Sequence, residues 1–201
     1  MRILVISDFN DPVLYEETNR NKIGNIDLVI SCGDLSREHL SYVSTMYKAP
    51  LFFVRGNHDL LLLTEGPVGE NLHDQLIKYR GIRMLGFEGV PNYNNQGVQF
   101  SNIDINILFF KFFIKTLFLE RPDIIVTHAP PKGIHDGPDN AHRGVPEYAK
   151  MITQFKPKYF LHGHNHLDYH SNLKWRSKFH QITMVESTTV IRIYGYYILN
   201  Y

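Results

Sequence analysis

The segment LHGHNH, Leu161 to His166, sets imidazoles at 162, 164 and 166, alternate positions of an extended chain. Side chains at i and i+2 of a strand share a face, and neutral imidazole is the commonest protein nitrogen ligand for metals. The histidines either lie along a wet strand edge or converge on a cation. What decides is whether the chain offers matching ligands elsewhere. Asp8 follows ILVIS, Gly33-Asp34 follows LVISC, Gly56-Asn57-His58-Asp59 follows LFFV, and His128 follows IIVT. Asp8, Asp34, Asn57, His58, His128, His164 and His166 thus form a mixed nitrogen and oxygen set. Such a set suits Mn, Fe, Co, Ni or Zn better than Ca, which takes oxygens alone. It exceeds what one four-coordinate ion needs. The count points to two ions sharing a bridging carboxylate, at the ~3.5–4 Å spacing of two-metal hydrolytic sites.

Each residue has a plainer reading. Asp8 and Asp34 could cap helices that follow strands, Asn57 could serve a Gly-Asn turn, and two strand histidines could simply be exposed. Their shared place at the ends of apolar runs weighs against all of these. The runs are short, β-branched or aromatic, and read as buried strands. Residues 11–24, with Pro12 early, and residues 36–48, opening on Ser36-x-Glu38, read as helices between the first three. Strand, helix, strand in this rhythm implies parallel pairing and an α/β fold. In open α/β sheets ligands gather outside the carboxyl ends of the strands. Five strand tips would therefore bring their polar residues to one rim. The C-terminal QITMVESTTVIRIYGYYILNY alternates without a helix, so it reads as antiparallel strands closing the fold.

The bulk numbers fit one soluble unit. The chain has 201 residues, 43% hydrophobic and 20% charged, enough for a core, and residues 1–201 read as a single domain. A formal charge of +1 without a basic cluster gives no electrostatic case for nucleic acid. Cys32 is the only cysteine, so no intrachain disulfide can form, which suits a reducing compartment, and the N-terminal apolar run is too short for a secretion signal. A cytoplasmic location is the expectation. Residues 103–119 are unusually apolar but contain Lys111 and Lys115 and fall short of the ~20 residues a bilayer span needs. They read as a buried helix packed on a sheet, with an apolar homodimer surface as the next reading.

Taken in order, Gly33-Asp34, Gly56-Asn57-His58-Asp59, the lone His128 and Gly163-His164-Asn165-His166 resemble the signature of calcineurin-like metallophosphoesterases. The resemblance covers most of the chain. It implies a four-layer αββα sandwich with a dinuclear centre between the sheet ends, and a small phosphate ester as substrate. It implies that Asp34 bridges the ions, Asp8 and His166 serve one, and Asn57, His128 and His164 serve the other. His58 would protonate the leaving oxygen or help hold the phosphate, alongside Asn57. Two cations would neutralise phosphoryl oxygens and lower the pKa of a bridging water toward ~7, so that hydroxide attacks in line. A phosphodiester or a phosphomonoester would both suit this chemistry.

One position departs from the family. Its first motif is Asp-x-His, whereas this chain reads Asp8-Phe9-Asn10. Asn10 can offer a carbonyl oxygen, a harder ligand than imidazole, which tilts the expected ions toward Mn, with Fe, Ni, Zn or Mg as others. Asp11, followed by Pro12, is expected to cap a helix. The stretch THAPPKGIHDGPDNAHRG also resembles a subgroup of the family, and His135, His142 and Arg143 could reach a substrate phosphate, Arg143 with the better fork. His162 is expected to orient a ligand from behind, and His39, His73, His170 and His180 to be surface residues. The competing functional reading is a degenerate member that keeps the fold and one metal as a scaffold. Asn10 motivates it, and His58 speaks against it.

Overall fold

A computed structural model describes residues 1–59, 68–118, 120–165 and 179–201. The elements in chain order are β1 (Arg2–Ser7), α1 (Glu17–Ile23), β2 (Leu28–Ser31), α2 (Arg37–Tyr47), β3 (Leu51–Phe53) and β4 (Glu70–Asn71). There follow β5 (Leu76–Tyr79), β6 (Ile82–Phe87), β7 (Val90–Pro91), β8 (Gln99–Phe100), α3 (Asn102–Phe118) and β9 (Ile124–Thr127). The last are α4 (Pro146–Phe155), β10 (Tyr159–His162), β11 (Phe179–Val185) and β12 (Thr188–Asn200). The helix starts follow local chemistry: Asp11 accepts from Val13 N at 3.0 Å to open a 3-10 turn before α1, and Ser36 Oγ accepts from His39 N at 3.2 Å to cap α2.

The α/β expectation holds, with one difference in how its layers are joined. The main strand order is β4-β3-β2-β1-β12-β10-β9-β6-β5, with β11 pairing β12. β1, β2 and β3 run parallel, as do β6, β9 and β10, the mark of crossover connections. The two groups are joined by β12, whose residues 189–192 pair with β10 and whose residues 195–200 pair with β1. Gly195 sits at the changeover with φ +84°, a conformation that L side chains rarely adopt. One strand therefore belongs to both halves of a single folded-over sheet.

Three apolar clusters define the layers. Ile3, Val5, Leu28 and Ile30 from one half pack against Met84, Ile124, Val126 and Leu161 from the other. Leu4, Ile6 and Val29, on the opposite face of the first half, pack on Leu40 and Val43 of α2. Leu85, Phe87, Ile125 and Phe160 do the same with Ile105 and Phe112 of α3 and Tyr148 and Met151 of α4. The order is helices, sheet, sheet, helices. Each central strand is covered on both faces, which is why these strands are unbroken apolar runs. The C-terminal stretch closes the fold as the β11–β12 antiparallel hairpin.

Two expectations need correction. The described part of the apolar stretch at 103–119, up to Phe118, lies in α3, but only one face of that helix is buried: Ile105 and Phe112 are inside, while Ile103 is 71% exposed. His39, expected on the surface, is buried at 1% exposure. Its Nδ1 lies 2.5 Å from the Tyr15 hydroxyl, and Nε2 has no hydrogen-bond partner among the described residues. Burial pushes its pKa from 6.5 down to about 4. The unfolded chain then binds a proton that the folded chain refuses. Stability is full above pH 6.5 and falls as pH drops toward 4, by roughly 3 kcal/mol over that window. Thermal melts at pH 7.5 and 4.5 should therefore differ less for His39→Gln than for the parent; equal differences would remove His39 from the acid response.

Candidate metal centre

The ends of β1, β2, β9 and β10 are tied together by backbone hydrogen bonds. Cys32 N donates to Ile6 O at 2.9 Å, Asp8 N to Gly33 O at 3.1 Å, and Gly163 N to His128 O at 3.2 Å. Each of these bonds lies within one half-sheet; the two rims are joined by His128 Nδ1, 2.8 Å from Cys32 O, and by His164 N, which donates to Asp8 Oδ2 at 3.0 Å. One oxygen of Asp34 and one ring nitrogen each of His128 and His164 lie within 4.8 Å of one another. The cluster is inside the protein, with His128 at 0% and His164 at 5% exposure.

His128 is held by both nitrogens. Nδ1 donates to Cys32 O at 2.8 Å, which directs Nε2 toward Asn57 Oδ1 at 3.1 Å and Asp34 Oδ2 at 3.3 Å. Two acceptor oxygens thus converge on one ring nitrogen. Burial opposes charge on His128, but the Asp34 carboxylate overcomes it and raises the pKa to about 9. Burial likewise works against the Asp34 carboxylate, and His128 overcomes it, holding the group well below the ordinary carboxylate range. His164 is driven the other way, to about 3, by burial and by the neighbouring His128. Its ring lies 4.8 Å from that of His128, centroid to centroid.

Asp8 adjoins the cluster through its carboxylate. Its oxygens accept from Ser7 Oγ at 2.5 Å and from His164 N at 3.0 and 3.1 Å. Asn57 is 3% exposed, so its carboxamide is fixed at the site. Three of these residues have left-handed backbone: Asp8 at φ 61°, Asp34 at 56° and His164 at 66°. Outside glycine such torsions are uncommon, and they cluster where a site is over-determined by its surroundings.

A residue absent from the expected site set builds its floor. Asp59 Oδ2 accepts from Asp34 N at 2.7 Å and from Gly56 N at 2.8 Å, clasping the two loops. Burial raises its pKa to about 6 despite those donors. Its place at the end of Gly56-Asn57-His58-Asp59 was the available signal. Under this clasp the loops touch backbone to backbone. A Cβ on Gly56 would sit 2.0 Å from Asp34 Oδ1 and 2.6 Å from Asp34 N.

The remaining expected residues fall in different places. His58 stands at the mouth, its side chain 77% exposed, with Nε2 3.9 Å from Asp34 Oδ2 and its backbone N–H donating to Oδ1 at 2.9 Å. Asn10 is exposed, and Asp11 caps the 3-10 turn. His166 and His170 lie outside the described residues. His180 is exposed and His73 half-buried. Arg143 donates to Asn92 O at 3.1 Å and, with Lys132, lines a cleft of about 300 Å³. His142 carries that loop over the cluster: it hydrogen-bonds Asp139 at 2.9 Å, and its ring lies 5.1 Å from that of His164. His135 is held instead by His162 Nε2 at 3.0 Å and Thr183 Oγ1 at 2.7 Å. His162 makes its own bonds to His135 and to Gly163 O, 3.1 Å away, so among the described residues it braces the loop and hydrogen-bonds no expected ligand side chain.

The donor set fits a divalent cation. One buried carboxylate and two imidazoles converge, and the proton that the buried Asp34–His128 pair holds marks where positive charge is wanted. Asn57 Oδ1 stands beside them as a fourth donor atom.

Comparison with known proteins agrees with this arrangement. The sequence profile of the family described as calcineurin-like phosphoesterase matches residues 1–168. No curated protein matches the sequence. Among solved structures, TT1561 of Thermus thermophilus superposes with a TM-score of 0.63 at 14% identity, over 95% of this chain and 88% of its own. GAP50, the anchor in the inner membrane complex of Plasmodium, superposes with a TM-score of 0.55 at 10% identity, over 96% of this chain and 70% of its own. A putative 5'-nucleotidase from Staphylococcus aureus gives 0.54 at 12% identity, over 95% of this chain and 48% of its own.

Proposed function

The chain belongs to the calcineurin-like phosphoesterase family, and from that premise we propose that it hydrolyses a phosphodiester or phosphomonoester with the help of two divalent ions, Mn foremost. Asp34 bridges the ions in this reading, with Asn57, His128 and His164 holding one and Asp8, Asn10 and His166 the other. When bound, such ions polarise a phosphoryl oxygen and supply a nucleophile at neutral pH. The single observation that carries the proposal is the convergence of Asp34, His128 and His164 within 4.8 Å, inside the protein. His58 fits the proton donor: it lies beside this cluster but on the solvent side, where a leaving alkoxide would emerge. Asn57 and Arg143 are assigned to the substrate phosphate, Arg143 from the cleft that it shares with Lys132.

A scaffold that keeps one ion is the second reading, and the exposed position of Asn10 favours it. One experiment separates the two. The protein is stripped with chelator, then assayed on bis(p-nitrophenyl) phosphate and p-nitrophenyl phosphate while Mn²⁺ is titrated. Turnover that depends on Mn²⁺ and falls by ~10²–10⁴ in His58→Ala is the expected result. Tight binding of one ion without turnover on either ester, with any divalent metal, would establish the scaffold instead.

A further inference from the structure

Helix α3 presents a second apolar face to solvent. Ile105 and Phe112 are its buried side, and Phe109 packs on Phe155 with ring centroids 6.5 Å apart. Opposite them, Ile103, Ile107, Phe110 and Ile114 are exposed at 71, 61, 60 and 41%. Among the described residues these are four of the seven large hydrophobic side chains that are exposed. Their spacing of four, three and four residues makes a straight stripe along a helix, the pattern of a helix-pairing seam. The surface along it is open and shallow between Ile103, Asn106, Ile107, Phe110 and Lys111.

We propose that this stripe is covered by the same stripe of a second copy of the chain, the two α3 helices running antiparallel about a two-fold axis. Three observations favour that occupant. The spacing reads the same in both directions, so in an antiparallel pair Ile103 meets Ile114 and Ile107 meets Phe110, as an isologous interface requires. Charge agrees with the direction. Asp104 lies in the first turn of α3, whereas Lys111 and Lys115 lie in its second half. Lys111 pairs with Asp74 of its own chain; antiparallel pairing brings Asp104 of the second copy to the same flank as that ammonium and opposes the helix dipoles, while parallel pairing would align them. The area sets the strength. Four side chains exposed to this degree offer roughly 400 Å² per copy, or roughly 800 Å² in the pair, below the ~1,200–2,000 Å² of a standard stable interface. The proposal is therefore a weak, concentration-dependent dimer. It is independent of the catalytic reading.

Sedimentation equilibrium from roughly 1 to 200 µM tests it, with Ile107→Ser and Phe110→Ser beside the parent. The expected result is a monomer–dimer equilibrium weakened at least tenfold in either variant, with far-UV spectrum and ester hydrolysis unchanged. Oxidative cross-linking fixes the direction: a mixture of Ile103→Cys and Ile114→Cys chains should form a heterologous disulfide, while Ile107→Cys alone should not pair with itself. A monomer throughout the range, a dimer indifferent to both serine variants, or flotation of the monomer with anionic phospholipid vesicles would each overturn the proposal. The last outcome would assign the stripe to a lipid surface.

Discussion

Replacing Asp34 with asparagine should lower kcat/KM by about 10³ or more while leaving the fold in place. The substitution keeps the shape and the acceptor for His58 N, but it removes the negative charge at the centre of the cluster. That charge is the counterpart of any cation held there, and several kcal/mol of transition-state stabilisation depend on such a cation, with each 1.36 kcal/mol worth about a factor of ten. A second readout needs no metal. In the metal-free parent, His128 stays protonated to about pH 9 because Asp34 outweighs the burial of the ring. Without the carboxylate, burial prevails, and the imidazole should titrate below 6.5, visible as a displaced His128 ring resonance in an NMR pH series. An asparagine variant with parental metal stoichiometry and rate would remove Asp34 from the centre of the site. An unmoved His128 titration would mean that the pair is not electrostatically coupled.

The largest expected effect on stability comes from one carbon at Gly56. Alanine there would place Cβ 2.6 Å from the backbone nitrogen of Asp34, and that nitrogen cannot retreat, since it donates to Asp59 Oδ2 together with Gly56 N. From the other side, a Cβ on Gly33 would meet Gly56 N at 2.4 Å, so the two loops are already in contact. Overpacking of this kind costs about 3 kcal/mol or more, and for a chain of this size it should lower Tm by roughly 6–12 °C. Gly81→Ala is the contrast. Gly81 has φ +88° but nothing within 4 Å of the added carbon, so only the backbone penalty of about 1–2 kcal/mol applies. A Gly56→Ala melt no lower than that of Gly81→Ala would refute the close approach.

The strand tips are legible in the sequence because a buried parallel strand is an unbroken apolar run, and the first few polar residues after it mark the rim. That rule alone finds Asp8, Asp34, Asn57, His128 and His164. It cannot find Asp59, whose role is to receive backbone N–H groups from two loops distant in sequence. Nor can it see that Asp8, Asp34 and His164 adopt left-handed torsions, because neither aspartate nor histidine advertises them as glycine does. His39 escapes it because its partner, Tyr15, comes from a different helical segment, and burial of that kind is a tertiary event. The β5–β6 hairpin is hard to read because it turns on Arg80 and Gly81, at φ 45° and 88°, and only the second residue is a usual choice there. The two faces of α3 are both apolar, so hydrophobicity alone cannot tell the packed side from the open one.

β12 has a mechanical consequence. Its first half is bonded to the half-sheet that carries His128 and His164, and its second half to the one that carries Asp8 and Asp34. The gap between those two rims is therefore spanned by continuous covalent chain with a single pivot at Gly195. The strand works like the arm of a pair of calipers, whose opening is set at the joint and read at the tips.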